Sequence, residues 1–189
     1  HASVDFPDRP VPFDPYIIGY WLGGGTDDRI SITDLKIVEY FREELAKYDA
    51  KIVQTVSTNY WIYSEDDYFL QMLEHLQIFD TKHIPDIYLM NSREIRLKLL
   101  AGLIDAIGIV TYDCIKIMHQ SHQLSDNIEY LGLSLGLMVT RDNGWIQIFG
   151  EGLECIPILT SGKRLGRKWQ TPRATTQSFV IEPLGPGEY

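Results

Sequence analysis

The 189 residues carry 17 Lys and Arg against 26 Asp and Glu, a formal charge of −9 at pH 7, with 44% hydrophobic and 12% aromatic residues. That apolar content belongs to a folded domain and excludes a disordered chain, and no apolar run reaches the ~18–20 residues that a membrane-spanning helix needs. The acid excess argues against general nucleic-acid affinity, which draws on surplus Lys and Arg.

The first thirteen residues, with Pro7, Pro10 and Pro12, read as an extended lead-in, and nothing in them has the basic-then-apolar order of a signal peptide. Asp14-Pro15 then predicts a helix N-cap followed by proline at the first helical position. The apolar helix Tyr16-Ile17-Ile18-Gly19-Tyr20-Trp21-Leu22 should stop at Gly23-Gly24-Gly25. Ile30-Ser31-Ile32 reads as a short strand. Thr33-Asp34 opens an amphipathic helix with Leu35, Val38, Phe41, Leu45 and Tyr48 on its apolar face. Residues 52–63 are rich in β-formers, and Ser64 to Asp67 is spaced to cap a helix through Phe79.

After a loop at Lys82-His83-Ile84-Pro85-Asp86, the order repeats. Asn91-Ser92-Arg93-Glu94 is spaced like a capping box ahead of a helix through Ile107. Residues 109–118 are β-like, Ser125 is the expected cap of a helix to about Gly136, and strand-like sequence fills 137–149. A divergent duplication of about 80 residues is implied, which is too long for a solenoid repeat and suggests two pseudo-symmetric halves. The Pro- and Gly-rich stretch 166–189 reads as a linker or a strand that belongs elsewhere. Cys114 and Cys155 suit a reducing compartment and read as two small buried hydrophobes.

Leu100-Ala101-Gly102-Leu103-Ile104-Asp105-Ala106-Ile107-Gly108 matches the LAGLIDADG motif at eight of nine positions, and Ile17-Ile18-Gly19-Tyr20-Trp21-Leu22-Gly23-Gly24-Gly25 is a looser copy. On these two motifs, and on the segments around Lys82-His83-Ile84-Pro85-Asp86-Ile87-Tyr88 and Leu124-Ser125-Asp126-Asn127, the chain resembles the LAGLIDADG homing-endonuclease domain of an intein. Within that family it is most similar to inteins of a fungal spliceosomal protein, and also similar to the yeast vacuolar ATPase intein. The resemblance implies an α+β fold of two αββαββα halves, with the motif helices side by side and two sheets forming a saddle. It also implies a division into 1–13 leading in from a splicing domain, halves at 14–93 and 94–165, and 166–189 returning to the splicing domain. Gly19 and Ala101-Gly102 would let the two helix backbones approach closely.

In active members the acid before the last motif glycine stands at the end of each helix, and the pair holds Mg²⁺ against the scissile phosphates. Here those positions are Gly24 and Ile107. Neither side chain offers an oxygen to a hard cation, so no catalytic residue and no cofactor is expected, and the resemblance implies an inactive nuclease. Asp105, roughly 200° around the helix from Ile107, should face elsewhere, and Asp27 and Asp28 read as solvated loop acids. Lys82 and Lys163 align with basic residues that assist at the phosphates in active members; ordinary surface lysine is the alternative.

Residues 1–93 hold 8 basic and 16 acidic side chains and residues 94–189 hold 9 and 10, while the stretch 163–173 has five basic residues and no acid. Candidate DNA contacts are therefore Lys116, Arg141, Lys163, Arg164, Arg167 and Lys168, with Gln54, Thr58, Gln120 and Gln147 as sheet residues that could face a groove. His119 and His122 have the HxxH spacing of some metal sites, although a helix end explains them more simply. Expected partners are the splicing segments of the same chain and weakly bound duplex DNA, with no membrane, for an intracellular (nuclear or cytoplasmic) monomer that does not splice by itself. Two other readings stand beside this one: a DNA-binding module that recognises without cutting, and an active nuclease with unusual metal ligands.

Overall fold

The computed structural model describes residues 3–111 and 114–163. Helix α1 (Pro15–Gly24) begins as the sequence predicts, with the Asp14 carboxylate accepting from the Ile17 amide at 3.0 Å. It runs into β1 (Arg29–Ser31), α2 (Leu35–Leu45), β2 (Ala50–Gln54), β3 (Asn59–Ser64) and α3 (Tyr68–His75). A single-turn helix, α4 (Asp86–Leu89), precedes α5 (Arg93–Ile107), β4 (Ile109–Val110), β5 (Ile115–Ile117), α6 (His122–Ser134), β6 (Met138–Asp142) and β7 (Trp145–Phe149).

Both sheets are antiparallel, the first in the order β1-β3-β2 and the second β4-β5-β7-β6. The expected αββαββα pattern is thus kept in the second half as far as β7, after which the described residues hold only 3-10 turns, and is one strand short in the first. There the partner of β1 is reduced to an isolated bridge between Thr26 and Arg29, because only a tight turn separates the end of α1 from β1.

Helices α1 and α5 lie side by side at the centre, and their glycines set how closely. A Cβ on Gly19 would fall 2.1 Å from the Leu99 carbonyl oxygen, and one on Gly102 would fall 2.1 Å from that of Tyr16. Gly102 follows Gly19 by 83 residues, as Leu99 follows Tyr16, so the two contacts are images of one another about a local twofold axis. Helix α1 is buried on every side from Pro15 to Gly23, the signature of a core helix. Ile37, Val38, Phe41 and Leu45 of α2, Phe69, Met72 and Leu73 of α3, and Leu124, Ile128 and Leu131 of α6 join it in one continuous apolar cluster with the inner faces of both sheets.

Several local expectations are corrected. Leu35 is 74% exposed, and Ile37 takes its place on the buried face of α2. Residues 65–67 form a 3-10 turn in which Asp66 and Asp67 have positive φ, so α3 starts at Tyr68, and it ends at His75 rather than Phe79. The cap of α6 is Ser121, whose hydroxyl accepts from the Leu124 amide at 3.2 Å; Ser125 lies inside the helix and donates back to the Ser121 carbonyl. Ser92 is the N-cap of α5 without a side-chain bond, while the Asn91 amide instead exchanges hydrogen bonds with the Arg9 backbone. Cys114 is buried but Cys155 is exposed.

The lead-in carries no regular structure yet is tied down. The Val4 amide donates to the Ser134 carbonyl. Arg96, fully buried, donates to the carbonyls of Val4, Asn91 and Ser134 and to the Ser134 hydroxyl. A buried guanidinium is tolerated when its donors are matched, and here every one of these acceptors is a neutral oxygen.

Candidate functional site: the paired helix ends

The C-termini of α1 and α5 emerge together. The Gly25 amide closes α1 onto the Trp21 carbonyl at 2.7 Å and the Gly108 amide closes α5 onto the Ile104 carbonyl at 2.8 Å, again 83 residues apart. Gly24 and Ile107 are the last helical residues. Gly24 is exposed, and a Cβ built there would meet nothing within 4 Å. Ile107 is half-buried and packs toward Gly23, where an added Cβ would come within 3.3 Å of its Cγ1.

Two lysines are inserted at these ends. The Lys82 ammonium donates to the carbonyls of Trp21 at 2.7 Å and Gly25 at 2.6 Å, and lies 3.4 Å from the centroid of the Trp21 ring. The Lys163 ammonium donates to the carbonyls of Ile104 and Asp105, both at 2.9 Å. Helix C-termini carry unpaired carbonyls and partial negative charge, and each is neutralised here by one amine. Burial pushes the Lys82 amine down to about 7. The Lys163 amine is also lowered by burial, with the Asp105 charge opposing. Neither is the ordinary surface lysine of the alternative reading.

The segments that deliver these amines are themselves fixed. The Ser121 hydroxyl donates to the Lys82 carbonyl, and the Ile84 amide donates to the Asn127 side chain. On the other side the buried Asp105 carboxylate accepts from the Tyr16 hydroxyl and from the Leu159 and Thr160 amides, which sets the turn carrying Lys163. Asp105 therefore points away from the helix ends, as its position on the helix predicts. Burial and that carboxylate together hold the Tyr16 hydroxyl protonated well above its ordinary range.

The donors at the helix ends do not fit a divalent cation. Gly24 and Ile107 supply no side-chain oxygen, the carbonyls of Trp21, Gly25, Ile104 and Asp105 already accept from the lysine amines, and the Asp105 carboxylate is engaged elsewhere. A further cation would also be repelled by the Lys163 ammonium and, below about pH 7, by that of Lys82. Among the described residues no group of three His, Cys, Asp or Glu is placed to hold a metal. His119 accepts from the Ser121 amide and is held neutral to lower pH by burial and by the nearby Lys82 charge, whereas His122 is exposed at the start of α6. Asp27 is exposed, and Asp28 lies 3.9 Å from Arg29.

The remaining candidates divide by sheet face. Lys116 and Gln147 face each other across β5 and β7 on the open side of the second sheet. Arg141 lies on the opposite side, where it pairs with Asp126 and Glu129 of α6, so its expected place at a groove is corrected. The Gln54 amide is turned onto the Ser57 carbonyl, and Thr58 bonds the Ser31 hydroxyl. Arg164, Arg167 and Lys168 lie outside the described residues. Sequence reasoning misses Arg29, Lys51, Trp61 and Tyr63, which line the open side of the first sheet. The alternation from Asn59 to Ser64 is the signal that could find them.

No protein-family model matches the chain. The replicative DNA helicase DnaB of Mycobacterium intracellulare is 31% identical over 135 residues, 71% of this chain. The chain spans about a fifth (21%) of that relative's length. Among solved structures, mesophilic variants of the homing endonuclease I-DmoI superpose with a TM-score of 0.51 at 16% identity, over 73% of this chain and 88% of theirs. I-DmoI in complex with DNA and Ca gives 0.50 at 14% identity, over 73% of this chain and 82% of that one. The chain therefore has the α+β fold of a LAGLIDADG homing endonuclease.

Proposed function

We propose that this chain is the homing-endonuclease domain of an intein whose nuclease centre has decayed, leaving a scaffold that no longer cuts DNA. The observation that carries the reading is the chemistry of the paired helix ends: a glycine and an isoleucine where two carboxylates would be needed, with lysine amines seated on the carbonyls around them. Metal-assisted hydrolysis of a phosphodiester depends on charge neutralisation and an acidified water, and a hard cation has no ligand set here. A match confined to about a fifth of a helicase chain is what a module carried inside a longer protein would give, which supports the intein context. On this reading residues 1–13 and 166–189 connect to splicing segments and flank halves at 14–93 and 94–165.

Incubating the protein with a duplex spanning the intein insertion site and Mg²⁺ or Mn²⁺ should leave the DNA intact. Cleavage would establish the third reading, an active enzyme with other ligands, and overturn this one. The double variant Gly24→Asp, Ile107→Asp should recover nicking if only the metal site has been lost.

A retained DNA-binding role is favoured by one observation: the open sheet sides carry Arg29, Lys51 and Lys116. A gel shift at low salt separates the two readings, since specific binding that weakens steeply with salt would assign recognition without cleavage.

A further inference from the structure

Along β3 the side chains alternate strictly. Tyr60, Ile62 and Ser64 turn into the core, while Asn59, Trp61 and Tyr63 turn out, with Trp61 45% and Tyr63 53% exposed. Residues two apart on a strand sit roughly 6.6–6.8 Å from each other on one face, so two aromatic rings stand in a row in solvent. The register places Arg29 and Val53 beside Trp61 and Lys51 beside Tyr63. The Arg29 guanidinium is 5.8 Å from the Trp61 ring centroid and the Lys51 amine is 4.9 Å from that of Tyr63. Each ring therefore has a cation at hand on a flexible stem.

Beside Trp61 opens a cleft of about 380 Å³ that reaches Gly24; Thr26, Ser31, Thr55 and Asn59 offer it neutral hydrogen-bonding side chains, and Arg29, Ile30 and Tyr60 complete the lining. Gly24 has no side chain and a Cβ there would meet nothing within 4 Å, so that end of the cleft is open. The strand residues on this face include no acid; Asp28, just before β1, lies 3.9 Å from Arg29 at the Trp61 end, and Asp49, Glu65 and Asp66 cluster beyond the Tyr63 end, which bounds any anionic ligand to a short length. The second sheet does not repeat the pattern. Its corresponding face carries Ile109, Lys116, Thr140 and Gln147, and Trp145 is half-buried and paired in register with Asp142. A duplex laid over both sheets would meet unlike surfaces, and its base faces are hidden inside the stack, so only base edges and phosphates could be read. Exposed rings with adjacent cations suit bases whose faces are free.

We propose that the open face of the β1-β3-β2 sheet binds short single-stranded nucleic acid, with bases stacked on Trp61 and Tyr63, one base entering the cleft toward Gly24, and phosphates within reach of Arg29 and Lys51. The proposal needs only this sheet face and stands whether or not the intein reading does.

The full chain is titrated at low salt with labelled 12-nucleotide oligo(dT) and oligo(rU) and with a mixed-sequence duplex of equal length, following anisotropy and tryptophan quenching. Either single strand should bind at least tenfold more tightly than the duplex, and a preference between dT and rU would assign the sugar. Trp61→Leu and Tyr63→Leu, which keep bulk without a ring, should each weaken binding by about 5- to 100-fold, while Trp61→Phe keeps most of it. Half-exposed positions should leave circular dichroism and the thermal midpoint unchanged, so a binding loss is separated from unfolding. Absence of single-strand binding, equal or tighter binding of the duplex, or Leu variants that bind like the parent would overturn the assignment.

Discussion

Lys82 and Lys163 each bring an amine out of water to the end of a helix, and the pH dependence of stability should register it. The folded Lys82 amine titrates near 7, below its unfolded value, so between pH 7 and 10 the unfolded chain binds more protons than the folded one. Stability should therefore rise across that window. The Trp21 face and the two carbonyls favour the ammonium and oppose the effect of burial. A gain on the order of 2 kcal/mol is therefore expected, at ~1.4 kcal/mol for each tenfold change in proton affinity. Lys163 acts in the same direction. Above pH 10 the trend should reverse, because buried Tyr16, Tyr20, Tyr40 and Tyr88 resist ionisation in the folded state. Urea midpoints from pH 6 to 10 check this, and Lys82→Met, which keeps the stem without the charge, should flatten much of the rise. None of this is legible in the sequence. The partners of Lys82 are backbone carbonyls 57 and 61 residues away, and a backbone oxygen leaves no residue type to recognise.

Among the elements, the α1–α5 pair is the most sharply specified, and its glycines are not equivalent. Gly19→Ala would drive a methyl into the Leu99 carbonyl, which no rotamer can relieve, so the helices must part. A loss of ~3 kcal/mol or more is expected. Gly24→Ala meets open space at the last helical position and should leave stability unchanged or raise it by up to ~1 kcal/mol. Chemical denaturation of the two variants distinguishes a packing glycine from one that touches nothing. The motif helices, their small residues and the Asp14 cap can be read from sequence because each is a local pattern. Sequence misplaces the start of α6 by four residues because Ser121 and Ser125 have the same capping chemistry, and only the turn supplied by residues 119–121 decides between them. It draws α3 too long because the apolar period continues through Ile78 and Phe79, although the helix ends at His75 and the chain turns at Gln77, which has positive φ.

At the scale of the whole molecule, the two halves share one apolar cluster that runs through α1 and α5 into both sheets. Neither half has a closed core of its own, so unfolding should be a single transition. Superimposable denaturation curves from far-UV circular dichroism and tryptophan fluorescence are the expected result; two separated transitions would show that each half is stable by itself. The pseudo-symmetry is visible in the repeated order of elements, and the single strand read between α1 and α2, with Asp27 and Asp28 in a loop, already departs from the αββαββα pattern that the resemblance implies.

The docking of the lead-in onto Arg96 gives the irregular N-terminal stretch a weight out of proportion to its lack of secondary structure. Peeling residues 3–9 away would strip the buried guanidinium of one acceptor, the Val4 carbonyl, and of the ring of Phe6, 5.0 Å away, leaving its charge only the neutral oxygens of Asn91 and Ser134. Water would have to follow it inward, along the seam between α5 and the end of α6. The stretch is thus a stopper, and a tug or a proteolytic nick there would be felt first where α5 begins.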